Sequence, residues 1–408
     1  MKVLIWTKNI SLKNMGGPMG YCYNIKSYLD EHPCEEIDFY PGSQCGKGAD
    51  DYNGSISFRL KMKLYIRNLL AKIKFIDFFL TLNSLYLKHF PLNEKDKKLL
   101  EKYDFVHVHC VNEILQSFYN FNNQKTKIIL TTHTPEPLID ELAGRFGMQS
   151  LLRLFPFVRN FFIKKEIEAY KKADLVMFPV PEAKEPYMSR SPYYKDLFKL
   201  IESKIFYVPT AINKLKAKPE NKHSLDKYSI PSNALKVCYV GRHNEVKGYN
   251  MLKQIAVETW KNISNIYFII GGKEEPLKGI KDSRWIELGW VNTSELLNEV
   301  DIFILPNKET YFDIILLEVL RQGIPVVISK TGGNKWFENK NISGIHCYNY
   351  DDKEECSRML KQLYDDKNKG LLIQQKNANE LFFNENFYVH VYIEKYLKSL
   401  EGYKGVKL

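Results

Sequence analysis

The stretch Val237-Cys238-Tyr239-Val240-Gly241-Arg242, continued by Glu245-Val246-Lys247-Gly248, decides how the chain is to be read. A short apolar run, rich in β-branched residues, ends abruptly in a glycine and a cation. Such a run fits a strand buried on both faces. The polar segment after it then lies at the strand's carboxyl end, where open α/β sheets bind their ligands. Arg242 offers a planar fork of donors and Lys247 a compact charge, both suited to a diphosphate. Gly248 opens a helical pattern whose N-terminus favours anions. The same two cations also read as solvated charges in a loop.

The same kind of run recurs on both sides. Before it stand Val3–Trp6, Phe105–His109, Ile128–Thr131 and Leu175–Phe178; after it stand Ile266–Ile270, Ile302–Leu305 and Pro325–Ile328. Helix-length amphipathic stretches separate them. This alternation predicts parallel sheets and an α/β architecture present twice, as two Rossmann-like domains. A chain of 408 residues suits two domains of roughly 200 each. Val208-Pro209-Thr210-Ala211-Ile212-Asn213 reads as the linker. We therefore expect an N-terminal domain over 1–208, completed by a C-terminal helix of about 386–408, and a C-terminal domain over 209–385.

Composition bounds the function. Hydrophobic residues make up 44% and charged residues 26%, the profile of a soluble globular chain. The seven cysteines are dispersed and none are spaced Cys-x-x-Cys, which argues against a zinc or thioredoxin-type site and suits a reducing cytosol. The apolar start is too short for a signal peptide. The stretch Phe75 to Leu87 is interrupted by Asp77 and Asn83 and falls short of a membrane span. Net charge is +11, which favours anionic partners. Arg59, Lys61, Lys63, Arg67, Lys72 and Lys74 lie among apolar residues over 59–74. This stretch reads either as a solvated helix face or as a basic amphipathic surface on anionic lipid. No nucleic-acid motif accompanies the charge, so nucleic acid is not expected as a partner.

Three further strand ends carry candidate residues. After the first run, Met15-Gly16-Gly17-Pro18-Met19-Gly20 is a glycine loop at a helix start, where backbone N–H groups can approach a phosphate or sugar. It does not follow the Gly-x-Gly-x-x-Gly pattern, which argues against a dinucleotide-binding dehydrogenase. His133 follows Ile128–Thr131 and is a candidate ligand contact. After Ile302–Leu305 comes Pro306-Asn307-Lys308-Glu309-Thr310-Tyr311-Phe312-Asp313, then a helix predicted over Asp313 to Gln322. Glu318 sits within its apolar stretch. A carboxylate there needs a partner, and a ligand hydroxyl can supply one.

In this order the pieces resemble family 4 of the retaining glycosyltransferases, which has the GT-B fold. Val240-Gly241-Arg242 with Lys247-Gly248 is similar to that family's phosphate-binding segment. Gly271-Gly272 matches its next strand and turn. Leu288-Gly289-Trp290-Val291 is similar to the loop that holds the nucleotide base through backbone contacts. Leu317-Glu318-Val319-Leu320, followed by Gln322-Gly323-Ile324-Pro325-Val326-Val327, is similar to its most recognisable signature, in which the acidic residue binds the ribose hydroxyls. Gly16-Gly17 and His133 resemble the N-domain loop and the sugar-contacting histidine.

One departure stands out. The family usually carries two glutamates eight positions apart, and counting back from Glu318 gives Thr310. Tyr311 follows it, Phe312 matches the family's phenylalanine, and Asp313 stands where glycine is common. Glu309 is one residue early. The favoured expectation is that Thr310 takes over the sugar contact; the alternatives are a kink that brings Glu309 in and a weakened site.

The resemblance implies an α/β GT-B protein whose two Rossmann-like domains face each other across a cleft. It implies transfer of a sugar from a nucleotide diphosphate sugar, UDP by family frequency, to an acceptor hydroxyl with retention of configuration. Arg242, Lys247, helix dipoles and glycine amides would carry the leaving diphosphate. No metal or other cofactor is expected, and the chain contains no Asp-x-Asp. The expected partners are the nucleotide-sugar donor, a glycan or lipid-linked acceptor of surface polysaccharide synthesis, and an anionic membrane surface through 59–74. The expected location is the cytoplasm, at the inner face of the plasma membrane. The competing reading is a catalytically silent GT-B subunit that binds a partner or glycan.

Overall fold

The computed structural model describes residues 1–8, 10–13, 16–41, 74–123, 125–215 and 224–403. The basic stretch expected at a membrane lies outside these residues except for Lys74, which begins the helix Lys74–Leu82. The chain divides into two compact units. The first is Met1–Phe178 with Glu185–Val208 and Tyr396–Leu408; the second is Pro179–Lys184 with Pro209–Lys395. The return to the first unit thus begins at Tyr396, inside the helix Val389–Glu401, and not at about 386.

The first unit is built on a six-stranded parallel sheet. Its strands are β1 (Val3–Trp6), β2 (Ile37–Tyr40), β3 (Phe105–Val108), β4 (Lys127–Leu130), β5 (Leu175–Phe178) and β6 (Ile205–Tyr207), in the order β2-β1-β3-β4-β5-β6. β1, β3 and β5 are buried at every position, which is why their sequences are unbroken apolar or neutral runs. Glu166, on the helix Pro156–Lys172, is buried. It accepts hydrogen bonds from Tyr86 Oη (2.7 Å), Tyr194 Oη (2.8 Å) and the N–H groups of Leu138 and Ile139 (both 3.2 Å). A carboxylate so satisfied anchors the first turn of the helix Leu138–Phe146. Burial nonetheless pushes it up to about 7.

The second unit repeats the plan. β7 (Leu235–Val240), β8 (Ile266–Gly271), β9 (Trp285–Gly289), β10 (Ile302–Leu305), β11 (Val326–Ser329) and β12 (Ile345–Tyr348) pair in parallel in the order β12-β11-β10-β7-β8-β9. This is the doubly wound order of nucleotide-binding sheets. Leu235, Val237, Ile266, Phe268 and Ile304 pack on Leu252 and Ile255 of the helix Tyr249–Trp260 and on Leu360 and Leu363 of the helix Lys353–Asn368. No described helix is long and apolar enough to cross a membrane.

Four strands were not expected from the apolar runs: β2, β6, β9 and β12. All four are sheet edges. The helix expected over Asp313 to Gln322 runs from Ile314 to Arg321, with Asp313 at its N-terminal boundary.

Candidate active site

Strand order fixes where a ligand can enter the second unit. The strand order reverses between neighbouring β7 and β10, and at such a point the loops at the carboxyl ends of the strands form the ligand crevice. These loops are 241–248 and 306–313. They are stitched together by the N–H groups of Lys308 and Glu309, which donate to the Val246 carbonyl at 3.0 and 3.2 Å. Gly248 makes the approach possible. Its φ is +66°, and a Cβ there would lie 1.5 Å from the Pro306 carbonyl oxygen, so no side chain is tolerated.

Lys247 and Asp313 face each other across this junction. The Lys247 ammonium donates to both Asp313 oxygens, at 2.7 and 2.8 Å. The pair is largely but not wholly covered, with side-chain exposures of 19% and 17%. Asn307, fully buried, donates its amide to Asp313 Oδ2. Thr310 is fully buried too, and its hydroxyl lies close enough to favour the charged carboxylate without making a hydrogen bond of good geometry. Burial alone would raise the Asp313 carboxyl, but Lys247, then Asn307 and Thr310, outweigh it and hold it below the ordinary aspartate value. Arg242, by contrast, is exposed and makes no ion pair among the described residues. Its backbone carbonyl accepts from Tyr239 Oη at 2.8 Å.

Glu318 sits in the helix Ile314–Arg321, half-buried and with no hydrogen bond or ion pair to any described residue. Burial raises its carboxyl above the ordinary glutamate value, and Arg321 one turn on offsets this only in part. Arg321 itself is turned to the Asn213 carbonyl at 2.8 Å. An uncompensated carboxylate of this kind is an acceptor waiting for donors. Gly289 ends β9, and Trp290 after it is 85% exposed. Val291 lies against Gly271 at the end of β8. Tyr311 and Phe312 are buried. The Phe312 ring packs on Phe337 (5.7 Å), Phe387 (5.9 Å) and Trp336 (6.5 Å), an aromatic cluster that holds this end of the loop.

The first unit gathers its candidates in the same way, with the order of its sheet reversing between β1 and β3. Gly16 precedes the helix Gly17–Glu31, and Gly17 has φ +71° with open space beyond its Cα. Tyr21, one turn into that helix, packs on His133 (4.8 Å) and His109 (5.3 Å). His109 Nδ1 and His133 Nε2 are 3.1 Å apart, a hydrogen bond in which the tautomer decides which ring donates. His107 lies between Thr131 Oγ1 (2.7 Å) and Tyr396 Oη (2.9 Å). Burial lowers His107 and His133 to about 3 and holds His109 well below the ordinary histidine value, so all three rings are neutral near pH 7.

The structure thus brings Gly16, Gly17 and His133 together in one unit, and Gly241, Arg242, Lys247, Thr310, Asp313 and Glu318 to loops and the helix of the other. Sequence reasoning missed Asn307, His109 and Tyr21. Asn307 is the second residue after the end of β10, in the segment at a strand's carboxyl end where ligands are expected. His109 was counted as the last residue of a strand that ends at Val108.

Two doubly wound parallel units define a protein of the GT-B class, and comparison with solved structures agrees. A sucrose-phosphate synthase from Thermosynechococcus elongatus superposes with a TM-score of 0.61 at 13% identity, over 99% of this chain and 100% of that one. A glycosyltransferase from Rickettsia africae gives 0.60 at 14% identity, over 99% of each chain. HepE from Anabaena, crystallised with UDP, gives 0.55 at 13% identity, over 98% and 100%. Residues 234–366 match the family described as glycosyl transferases group 1, so the chain carries a glycosyltransferase domain of that group spanning β7 to β12. The lipopolysaccharide core biosynthesis glycosyltransferase LpsE of Rhizobium meliloti is 26% identical over 149 residues, 34% of this chain and 42% of that protein. The match therefore spans less than half of that relative's length.

Proposed function

We propose that the chain is a retaining glycosyltransferase that moves a sugar from a nucleoside diphosphate sugar to an acceptor hydroxyl, with the donor held by the second unit. The observation that carries this reading is Glu318, a half-buried carboxylate with no hydrogen-bond or ion-pair partner among the described residues, inside a group 1 glycosyltransferase domain. A ribose diol supplies the two donors it lacks. Arg242 and the N-terminus of the helix Tyr249–Trp260 face the diphosphate, and Lys247 joins them. These groups stabilise charge as it develops on the leaving phosphate. We assign uridine as the base, supported by the fold shared with UDP-bound HepE. Protein cations, not a metal ion, carry the diphosphate in this reading, so transfer survives EDTA; loss of activity restored by Mn²⁺ contradicts it.

The acceptor side falls to the first unit, with His133 as the sugar contact. A lipid-linked glycan intermediate of surface polysaccharide synthesis fits the likeness to LpsE. A resting place at the inner face of the plasma membrane is supported by Leu154 and Phe157, 75% and 69% exposed, beside the exposed Arg153. The test is nucleoside diphosphate release from a panel of nucleotide sugars, with and without lipid-linked acceptors. Release that requires acceptor supports a transferase; equal release without acceptor describes a hydrolase.

A further inference from the structure

The loop after β10 departs from the family pattern at Thr310, yet a carboxylate stands three positions on. Asp313 occupies the N-terminal boundary of the helix Ile314–Arg321 but makes no capping hydrogen bond to it. Aspartate at such a boundary ordinarily caps. Here the side chain is turned instead to Lys247, at 2.7 and 2.8 Å, and to Asn307. An ionised carboxylate offers about four lone-pair positions. Lys247 takes two and Asn307 one, which leaves acceptor capacity on a side chain that is still 17% exposed. Two more polar atoms beside it have no hydrogen-bond partner: Asn307 Oδ1 and Thr310 Oγ1, both on fully buried residues. A carboxylate, an amide oxygen and a hydroxyl in one place match the hydroxyl groups of a sugar, which both donate and accept. They do not match a phosphate, which only accepts.

The same geometry alters what Lys247 offers an anion. Its charge is already met by Asp313, so an arriving diphosphate must share the ammonium with a resident carboxylate. A nucleoside diphosphate without a sugar suffers that competition and gains nothing from Asp313. A complete donor suffers it and recovers hydrogen bonds through its sugar.

We propose that Asp313 selects the intact sugar donor over the bare nucleoside diphosphate, by competing for Lys247 and by accepting hydrogen bonds from the donor sugar. This rests on the donor site assigned above. It supplies from position 313 the carboxylate absent at position 310, and it makes Thr310 a neighbour of the sugar contact and not its replacement.

The experiment is calorimetric titration of the full chain and its Asp313→Asn variant. The ligands are UDP and the best-bound of UDP-glucose, UDP-galactose and UDP-N-acetylglucosamine. Asp313→Asn removes the competing charge and keeps the shape, so UDP binds roughly two- to fivefold more tightly, the scale of a partly screened ion pair. The preference for the UDP-sugar over UDP falls by about tenfold or more, the scale of one lost hydrogen bond to a charged group. Should Asp313→Asn melt too low to titrate, Asp313→Ser is read for the same ratio at reduced temperature. A lowered melting temperature with an unchanged ratio overturns the proposal and leaves the pair as a tie between two loops. UDP binding by the parent with that unchanged ratio overturns only the role of Asp313. Failure of the parent to bind UDP or any of the three donors overturns the donor site itself, and this inference with it.

Discussion

Removing the Lys247 ammonium acts on the fold as well as on the ligand. In Lys247→Ala, Asp313 loses the two contacts at 2.7 and 2.8 Å and keeps only polar neighbours. Breaking a fully buried pair by removing one partner costs about 3–5 kcal/mol, whereas an exposed pair is worth about 0–1 kcal/mol. With exposures of 19% and 17% this pair lies between those limits, and about 1–3 kcal/mol is the expected loss. For a unit of this size that lowers the melting temperature by about 2–12 °C. The sequence alone, treating Lys247 as a solvated phosphate cation, gives no loss of stability. The pH dependence separates the two. With Lys247 gone, burial dominates and Asp313 rises above its unfolded value. The folded variant then binds the proton more tightly than the unfolded chain. Its deficit relative to the parent is largest near neutrality and shrinks as pH falls through the raised value. Thermal unfolding of parent, Lys247→Ala and the double variant Lys247→Ala/Asp313→Asn, followed from pH 7 to pH 4, reads this directly. The double variant recovers most of the loss. An unchanged melting temperature in Lys247→Ala, or a deficit that grows on acidification, refutes the reasoning.

Glu318→Gln weakens nucleotide binding by about 1.5–3 kcal/mol, since a neutral amide replaces a charge-assisted acceptor. It does not lower the melting temperature, because Glu318 makes no hydrogen bond or ion pair with a described residue and the cost of its burial outweighs the attraction of Arg321; destabilisation without loss of affinity contradicts this. Neutral His107, His109 and His133, with values lowered by burial, make the first unit sensitive to acid. The unfolded chain takes up protons below about pH 6.5 while the folded rings do not, so stability falls as pH drops from there toward 3, by up to about 1.4 kcal/mol per pH unit for each histidine. His107→Gln flattens that slope, and an equal slope in urea titrations of the variant speaks against it.

The central strands were legible in the sequence, and the edges were not. β3 and β10 are buried throughout and read as unbroken Phe-Val-His-Val and Ile-Phe-Ile-Leu. The edge strands β2, β6, β9 and β12 read Ile-Asp-Phe-Tyr, Ile-Phe-Tyr, Trp-Ile-Glu-Leu-Gly and Ile-His-Cys-Tyr, with exposed or half-buried positions in each. A search for apolar runs finds only strands flanked by strands on both sides, because only those exclude water from every side chain. At the site, the chemistry of Arg242, Lys247 and Glu318 was readable from their places after strands. The partner of Lys247 was not. Asp313 is 66 residues away, and the pairing follows from the adjacency of β7 and β10, which no local pattern encodes. The aromatic neighbours of Phe312 were hidden for the same reason, since Trp336, Phe337 and Phe387 pack on it from later in the chain.

The central claim is that the second unit holds a nucleoside diphosphate through the Lys247 and Arg242 loop and the Glu318 carboxylate. Titration of UDP into the parent chain and into Arg242→Ala/Glu318→Gln, in the presence of EDTA, tests it most directly. The account predicts saturable binding by the parent and a loss of about two orders of magnitude or more in the double variant, from one ionic and one charge-assisted contact together. Equal affinity in the two proteins would contradict it.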